Sequence, residues 1–116
     1  MNEEEKIKSC CLEKEIPPCV SACPFHLDEH NFISRLRRGG FSFAYRIYAD
    51  TVAFPAVVSE LCEASCEAVC PLGAAGGPIG LRLLEKACVA YAPNREPNSY
   101  NMQSKSGRAA IIGAGP

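Results

Sequence analysis

The 116-residue chain is 47% hydrophobic and contains eight cysteines, and its formal net charge at pH 7 is −1. This length predicts one domain with a small core, which is usually only modestly stable without further support. The balanced charge argues against nucleic acid or an anionic membrane surface as a partner.

The start of the chain and its cysteine content indicate a cellular compartment. The first residues, MNEEEKIK, lack the apolar stretch of a secretory signal, and no apolar run is long enough to span a membrane. We therefore expect a cytoplasmic protein. In that reducing compartment, eight cysteines are expected to bind metal rather than to form disulfides.

The first predicted helix covers residues 3–12, and its acidic first turn is favourable to the helix dipole. Pro17 and Pro18 end any helix at that point, because proline lacks an amide hydrogen and restricts the residue before it. The chain is therefore expected to approach Cys19 in an extended conformation.

Two helices in the middle of the chain are predicted to form an αα-hairpin. Asp28 is a typical N-cap residue, and Gly39-Gly40 ends the first helix before a second begins at about Ser42. We expect the aromatic residues of this hairpin to belong to the core rather than to a binding surface. The predicted apolar faces contain Phe32, Ile33 and Leu36 in the first helix and Phe43, Ala44, Ile47 and Tyr48 in the second.

Two further helices are predicted in the second half of the chain. Residues 56–62 predict a short apolar helix, and a Gly/Pro-rich loop follows over residues 71–78. Pro78 suits the first turn of a helix over residues 79–92. One face of that helix carries Leu81, Leu84, Cys88 and Tyr91. Cys88 is therefore expected to be a core residue rather than a ligand.

The last part of the chain has a different composition. Residues 93–107 are rich in Pro, Asn and Ser and are typical of a linker, so the helical domain is expected to occupy residues 1–92. Residues 108–116 combine a short buried-strand pattern with Gly113 and Gly115, the start of a G-x-G-x-x-G turn. We expect these residues to begin a truncated Rossmann domain. The chain itself is not expected to bind a dinucleotide, because the motif is incomplete.

Seven of the eight cysteines form two runs, each ending in Cys-x3-Cys-Pro. The first run contains Cys10, Cys11, Cys19 and Cys23, and the second contains Cys62, Cys66 and Cys70. Thiolates at this density, with turns between them, are suited to wrapping an inorganic cluster, and the same ending occurs in bacterial ferredoxins. The runs therefore predict an iron–sulfur module that transfers electrons.

Other interpretations of individual residues stay open. A zinc-stabilised interaction module is the alternative, since Cys62-x3-Cys66 would serve as one zinc knuckle, but the staggered runs favour clusters. His26 and His30 flank a predicted helix start and are expected to cap it or to face solvent rather than to bind iron. Glu85 lies on the apolar face of the last helix, so it either faces a cluster or is a surface charge.

Four segments of the chain occur together in one order: the first cysteine run, the spacer PFHLDEHNFISRLRRGGFSFAYRIYADTVAFP, the second cysteine run with GGPIGLRLLEKA, and the terminal IIGAGP. Together they resemble the N-terminal iron–sulfur domain of the glutamate synthase small subunit and of dihydropyrimidine dehydrogenase, over residues 8–116. The resemblance implies an all-α domain similar to the α-helical ferredoxins, with two [4Fe–4S] clusters, followed by FAD and NAD(P)H domains.

The resemblance further implies that the clusters pass electrons between the downstream flavin domain and a partner site, which can belong to a larger catalytic subunit. The chain alone is then not expected to catalyse a reaction. In this family one cluster takes the positions of Cys11, Cys19 and Cys70, and the other takes those of Cys23, Cys62, Cys66 and Glu85. Family members typically have a further cysteine at the position of Lys14. The fourth ligand of the first cluster is therefore left open, with Cys10 as the obvious substitute.

Overall fold

The computed structural model describes residues 2, 4–5, 7, 11, 16–101, 103–104 and 106–114. Within these residues the chain forms helices and no strand, which confirms the predicted all-α class. The helices are α1 (Pro18–Ala22), α2 (Glu29–Gly39), α3 (Phe41–Val52), α4 (Pro55–Leu61), α5 (Ser65–Ala68), a 3-10 helix (Pro71–Ala75) and α6 (Leu81–Tyr91). None of the described helices has the length and apolar composition that crossing a membrane requires.

The predicted αα-hairpin is formed by α2 and α3. The side chain of Asp28 caps α2 by accepting a hydrogen bond of 3.0 Å from the backbone N–H of Asn31. Gly40, with φ of 74°, ends α2 and directly precedes α3, and this left-handed conformation favours glycine. Both boundaries were predicted from the sequence, and both are confirmed.

The core lies between α2, α3 and α6. The rings of Phe32 and Tyr48 pack against each other with centroids 6.4 Å apart. Each buried apolar side chain of this size contributes about 1.5–3 kcal/mol of folding free energy, so this cluster is the main apolar support of the domain. It consists of Leu27, Phe32, Ala44, Tyr48, Val52 and Cys88. The prediction that Cys88 is a core residue is confirmed.

Several local predictions were wrong. Pro18 begins α1 instead of extending the chain, since proline at the first helical position loses no hydrogen bond. Helix α6 begins at Leu81, so Pro78 lies before its first turn. Residues 71–75 form a 3-10 helix where a loop was expected. Phe43 and Tyr91, which were placed on apolar faces, are exposed.

Polar contacts connect α6 to the helices beside the second cysteine run. The backbone N–H of Arg82 donates to Oε1 of Glu67 in α5, at 3.3 Å. The ammonium of Lys86 lies 2.9 Å from a carboxylate oxygen of Glu60 in α4. This ion pair is solvent-exposed and contributes at most about 1 kcal/mol, so the contacts orient α6 more than they stabilise it.

Residues 92–114 contain no helix and no strand among those described. Part of this segment packs on α3, where the hydroxyl of Tyr100 donates to Asp50 at 2.8 Å. The strand predicted at the start of residues 108–116 is not formed, and Ile111 and Ile112 are 92% and 99% exposed. A strand needs a neighbouring strand to pair with, and the described chain offers none. Gly113 is described, whereas Gly115 lies outside the described residues, and the domain division stays a prediction.

Candidate metal centre

The cysteines lie at or near the ends of short helices. Cys19 is inside α1 and Cys23 ends it, while Cys62 ends α4, Cys66 lies within α5 and Cys70 precedes the 3-10 helix. The four-residue spacing between Cys19 and Cys23, and between the three cysteines of the second run, corresponds to about one helical turn. Because α1 packs against α5, the two runs meet in space although they are distant in sequence.

A first cavity of about 610 Å³ opens between α1, α2 and the chain around the 3-10 helix. Three cysteines line it: Cys11, Cys19 and Cys70. Glu29 and His30, from the first turn of α2, complete its polar lining on that side. Its other walls include Arg37 and Arg38 from α2 and the apolar residues Ile79 and Leu81.

A second cavity of about 380 Å³ is lined by residues of α3, α4, α5 and α6 and of the chain that follows α1. Three further cysteines of the runs line it: Cys23, Cys62 and Cys66. Glu85 of α6 and Tyr48 of α3 also reach it, together with apolar residues such as Leu27 and Val58. Six cysteines are thus divided three and three between two cavities. The division coincides with the predicted ligand sets, although the ligand assignment itself stays a prediction.

The environment of two of the thiols, those of Cys66 and Cys19, disfavours their ionisation in the absence of metal. Burial raises the pKa of Cys66 to about 12, and the nearby carboxyls of Glu29 and Glu85 add to this effect. Burial and the Glu29 carboxyl also raise the pKa of Cys19. Because the thiolate is the reactive form, these cysteines are poor nucleophiles at neutral pH. Ionisation requires a local positive charge such as a metal, which deprotonates a coordinating thiol.

One sulfur already receives a backbone hydrogen bond. The N–H of Ala64 donates to Sγ of Cys62 at 3.4 Å. Ala64 has a left-handed conformation, with φ of 57° and ψ of 44°, an uncommon one for a residue other than glycine. Hydrogen bonds to sulfur are one of the means by which a protein sets the potential of an iron–sulfur cluster.

Each cavity is lined by one buried glutamate. Glu29 is 3% exposed and lines the first cavity, and Glu85 is 5% exposed and lines the second. Burial, and then the neighbouring Glu85 carboxyl, raise the pKa of Glu29 to about 9. Burial also raises the pKa of Glu85. A carboxylate in the first turn of a helix gains only about 0.3–1 kcal/mol from the helix dipole, so the cost of burial prevails.

The two glutamates differ in how the sequence presents them. Glu85 was recognised because it lies on an apolar helix face. Glu29 was missed, because an acidic residue after an N-cap is common and is usually solvated. The signal was present, since Glu29 precedes Phe32, Ile33 and Leu36 by three, four and seven positions and so shares their buried face.

The remaining candidate residues are two histidines, Cys10 and Lys14. His26 and His30 are exposed, as expected, and Nδ1 of His26 lies 3.1 Å from the carbonyl oxygen of Val20. Cys10 and Lys14 lie outside the described residues. Among the residues that the structure describes, no three His, Cys, Asp or Glu side chains converge closely enough to hold a single metal ion.

The donors fit an iron–sulfur group. A cluster binds each thiolate through a different iron atom, so the sulfurs surround it instead of converging on one point. Each cavity is many times larger than the roughly 30 Å³ that one water occupies in the liquid. Neither oxygen of the buried Glu29 carboxyl has a hydrogen-bond partner among the described residues, so the wall of the first cavity contains a polar group that an iron atom would engage.

Comparison with known proteins agrees with this chemistry. The family described as dihydropyrimidine dehydrogenase domain II, 4Fe-4S cluster, matches residues 2–97. The fold and the cysteine-lined cavities define a helical iron–sulfur domain. The chain belongs to this dihydropyrimidine dehydrogenase domain II family.

Three of the relatives that the chain matches are named as subunits or chains of larger enzymes. The chain is 26% identical over 107 residues to NADPH-Fe(3+) oxidoreductase subunit beta of Geobacter sulfurreducens, covering 90% of this chain and 16% of the relative. It is 27% identical over 112 residues to the glutamate synthase [NADPH] small chain of Mycobacterium tuberculosis, covering 91% of this chain and 22% of the relative. It is 28% identical over 78 residues to NADP(+)-dependent formate dehydrogenase subunit beta of Moorella thermoacetica, covering 67% of this chain and 11% of the relative.

The chain therefore spans less than a quarter of the length of these relatives. No solved structure matches it. The chain is an iron–sulfur domain of the kind found in oxidoreductases related to the glutamate synthase small chain.

Proposed function

We propose that the helical domain holds two [4Fe–4S] clusters, one in each cavity, and that it carries electrons within a larger oxidoreductase. The observation that supports this most strongly is the division of six cysteines into two groups of three around separate cavities. A single cluster would leave one of the two groups without a role.

Each cavity contributes its own ligands in this proposal. Cys11, Cys19 and Cys70 hold the cluster of the first cavity, and Cys23, Cys62, Cys66 and Glu85 hold that of the second. When bound, each cluster supplies a site that accepts and releases one electron. The protein buries Cys66 and, through the Ala64 amide, donates a hydrogen bond to the sulfur of Cys62. No group in either cavity is assigned a role in acid–base catalysis.

The domain works as part of a longer electron-transfer chain in this proposal. The relatives that it matches are much longer, and the names of three of them refer to NADPH or NADP(+). We infer that the domain exchanges electrons with a following domain that binds FAD and NAD(P)H, and then with a partner site, which can belong to a larger catalytic subunit. Residues 93–107 serve as the linker, and the complete protein is cytoplasmic.

Metal and sulfide analysis of the anaerobically purified protein tests the proposal. We expect a brown protein with broad visible absorption, about eight iron atoms and about eight sulfides per chain, which corresponds to two [4Fe–4S] clusters. A colourless protein with stoichiometric zinc would instead identify a zinc-stabilised module. About four iron atoms per chain after full reconstitution would rule out the second cluster.

A further inference from the structure

The geometry points to Glu29 as an oxygen ligand of the iron–sulfur cluster in the first cavity. This inference rests on the proposed function, since it concerns how one of the two clusters is held. A [4Fe–4S] cluster usually takes four protein ligands, whereas three cysteines line this cavity among the described residues. Glu29 lines the same cavity and supplies a fourth donor.

The surroundings of Glu29 indicate that its carboxyl serves a ligand-binding role. The residue is 3% exposed, and neither of its side-chain oxygens has a hydrogen-bond partner. A buried polar group without a partner is costly, and a buried charge is costlier still, so such groups are normally paired or coordinate a metal. Iron at the cavity wall provides the missing positive partner. The neighbouring Asp28 does not compete for this role, because its carboxylate is already engaged as the N-cap of α2.

His30 is the competing donor in the same lining. Its side chain is exposed, so water satisfies it and no interaction is missing. Cys10 is a second competitor and lies outside the described residues, so it enters as an arm of the experiment. Glu29 differs from His30 because its burial leaves it no solvent partner.

The assignment makes the two cavities chemically alike. Each contains three cysteines and one buried glutamate, and Glu29 lies close enough to Glu85 for the Glu85 carboxyl to raise the pKa of Glu29 in the absence of metal. An oxygen-ligated iron differs electronically from its thiolate-ligated neighbours. The cluster of the first cavity should therefore contain one distinguishable iron.

The experiment uses a Cys66→Ser background, in which the second cavity lacks a thiolate and the remaining iron reports on the first cavity. Glu29→Leu and Glu29→Gln are introduced there, with Glu60→Gln as the matched control, since Glu60 is exposed and lies outside both cavities. His30→Ala and Cys10→Ser complete the set. Iron content, Mössbauer spectra of ⁵⁷Fe-loaded protein and electron paramagnetic resonance after brief oxidation are measured, and circular dichroism confirms folding.

Glu29→Leu is expected to lose about one iron atom in four and to show a three-iron signal, whereas Glu60→Gln keeps the parent spectrum. Glu29→Gln is expected to keep four irons with altered parameters of the distinguishable iron, because its amide oxygen can still coordinate. The inference is overturned if both Glu29 variants keep the parent iron content and spectrum, or if His30→Ala or Cys10→Ser alone produces the three-iron signal. If the unsubstituted protein itself binds no iron–sulfur cluster, the proposed function fails instead.

Discussion

Replacement of Glu29 by leucine should stabilise the metal-free domain. The carboxyl is buried, both of its oxygens lack partners, and burial with the adjacent Glu85 raises its pKa from 4.5 to about 9. At pH 7 the folded domain therefore keeps a proton that the unfolded chain releases. Each pH unit above the ordinary pKa costs about 1.4 kcal/mol, so the penalty at pH 7 is about 3 kcal/mol.

The sign of the pH dependence follows from the same shift. Between pH 4.5 and about 9 the folded state binds more protons at this carboxyl than the unfolded state does. The contribution of this carboxyl to the free energy of unfolding is therefore highest below pH 4.5, where Glu29 is protonated in both states, and it falls as the pH rises toward 9. Leucine has no proton to keep. We expect Glu29→Leu to be more stable by about 2–4 kcal/mol at pH 7, in the range measured when buried ionic groups are replaced by apolar ones.

Urea unfolding of the metal-free proteins between pH 5 and pH 8.5, followed by circular dichroism, measures this effect. The parent protein should lose stability across that range, and Glu29→Leu should show a smaller slope. Glu60→Leu, at an exposed position in an ion pair with Lys86, should change stability by less than about 1 kcal/mol. A Glu29→Leu protein that is less stable than its parent at pH 7 would show that the carboxyl has favourable partners in the fold, and the reasoning would be refuted.

Three further outcomes are expected. Anaerobic removal of iron by a chelator should lower the protection of backbone amides from hydrogen exchange in residues 16–27 and 62–77. It should largely preserve the protection of α2, α3 and α6, which share the apolar core. The same protection in residues 16–27 and 62–77 before and after chelation would contradict this. Glu85→Gln should keep the second-cavity cluster with a shifted reduction potential, whereas Glu85→Ala should bind that cluster weakly. If both variants have the iron content and potential of the parent protein, Glu85 is not a ligand. Tyr48→Phe removes a buried hydroxyl that has no hydrogen-bond partner, so the stability of the metal-free domain should change by less than about 1 kcal/mol. The reduction potential of the cluster in the second cavity should shift in this variant. An unchanged potential would show that the Tyr48 hydroxyl does not face that cluster.

The helical hairpin and its core were predictable from the sequence because local signals agreed with one another. Asp28 is followed by apolar residues at helical spacing, and Gly40 supplies the left-handed conformation that ends α2. Cys88 was placed in the core for the same reason, since it continues an apolar helix face. Where the apolar spacing, the capping residue and the turn residue all indicate the same helix, tertiary contacts rarely change the outcome.

The predictions that failed depended on contacts that the local sequence does not contain. Pro18 is compatible both with an extended chain and with the first position of a helix, and the packing of α1 on α5 accompanies the helical outcome. The strand expected near Ile111 would need a partner strand, and none exists among the described residues. The burial of Glu29 brings it near Glu85 of α6, which is distant in the sequence. A periodicity argument applied to polar residues would have indicated it.

Iron counting in single-cysteine variants tests the central claim, one cluster in each cavity, most directly. The parent should hold about eight iron atoms per chain, Cys19→Ser and Cys66→Ser should each retain about four, and the double variant should retain almost none. Cys88→Ala, which changes a core thiol outside both cavities, should keep the full complement. Loss of all iron from either folded single variant, or retention of about eight in both, would contradict the account.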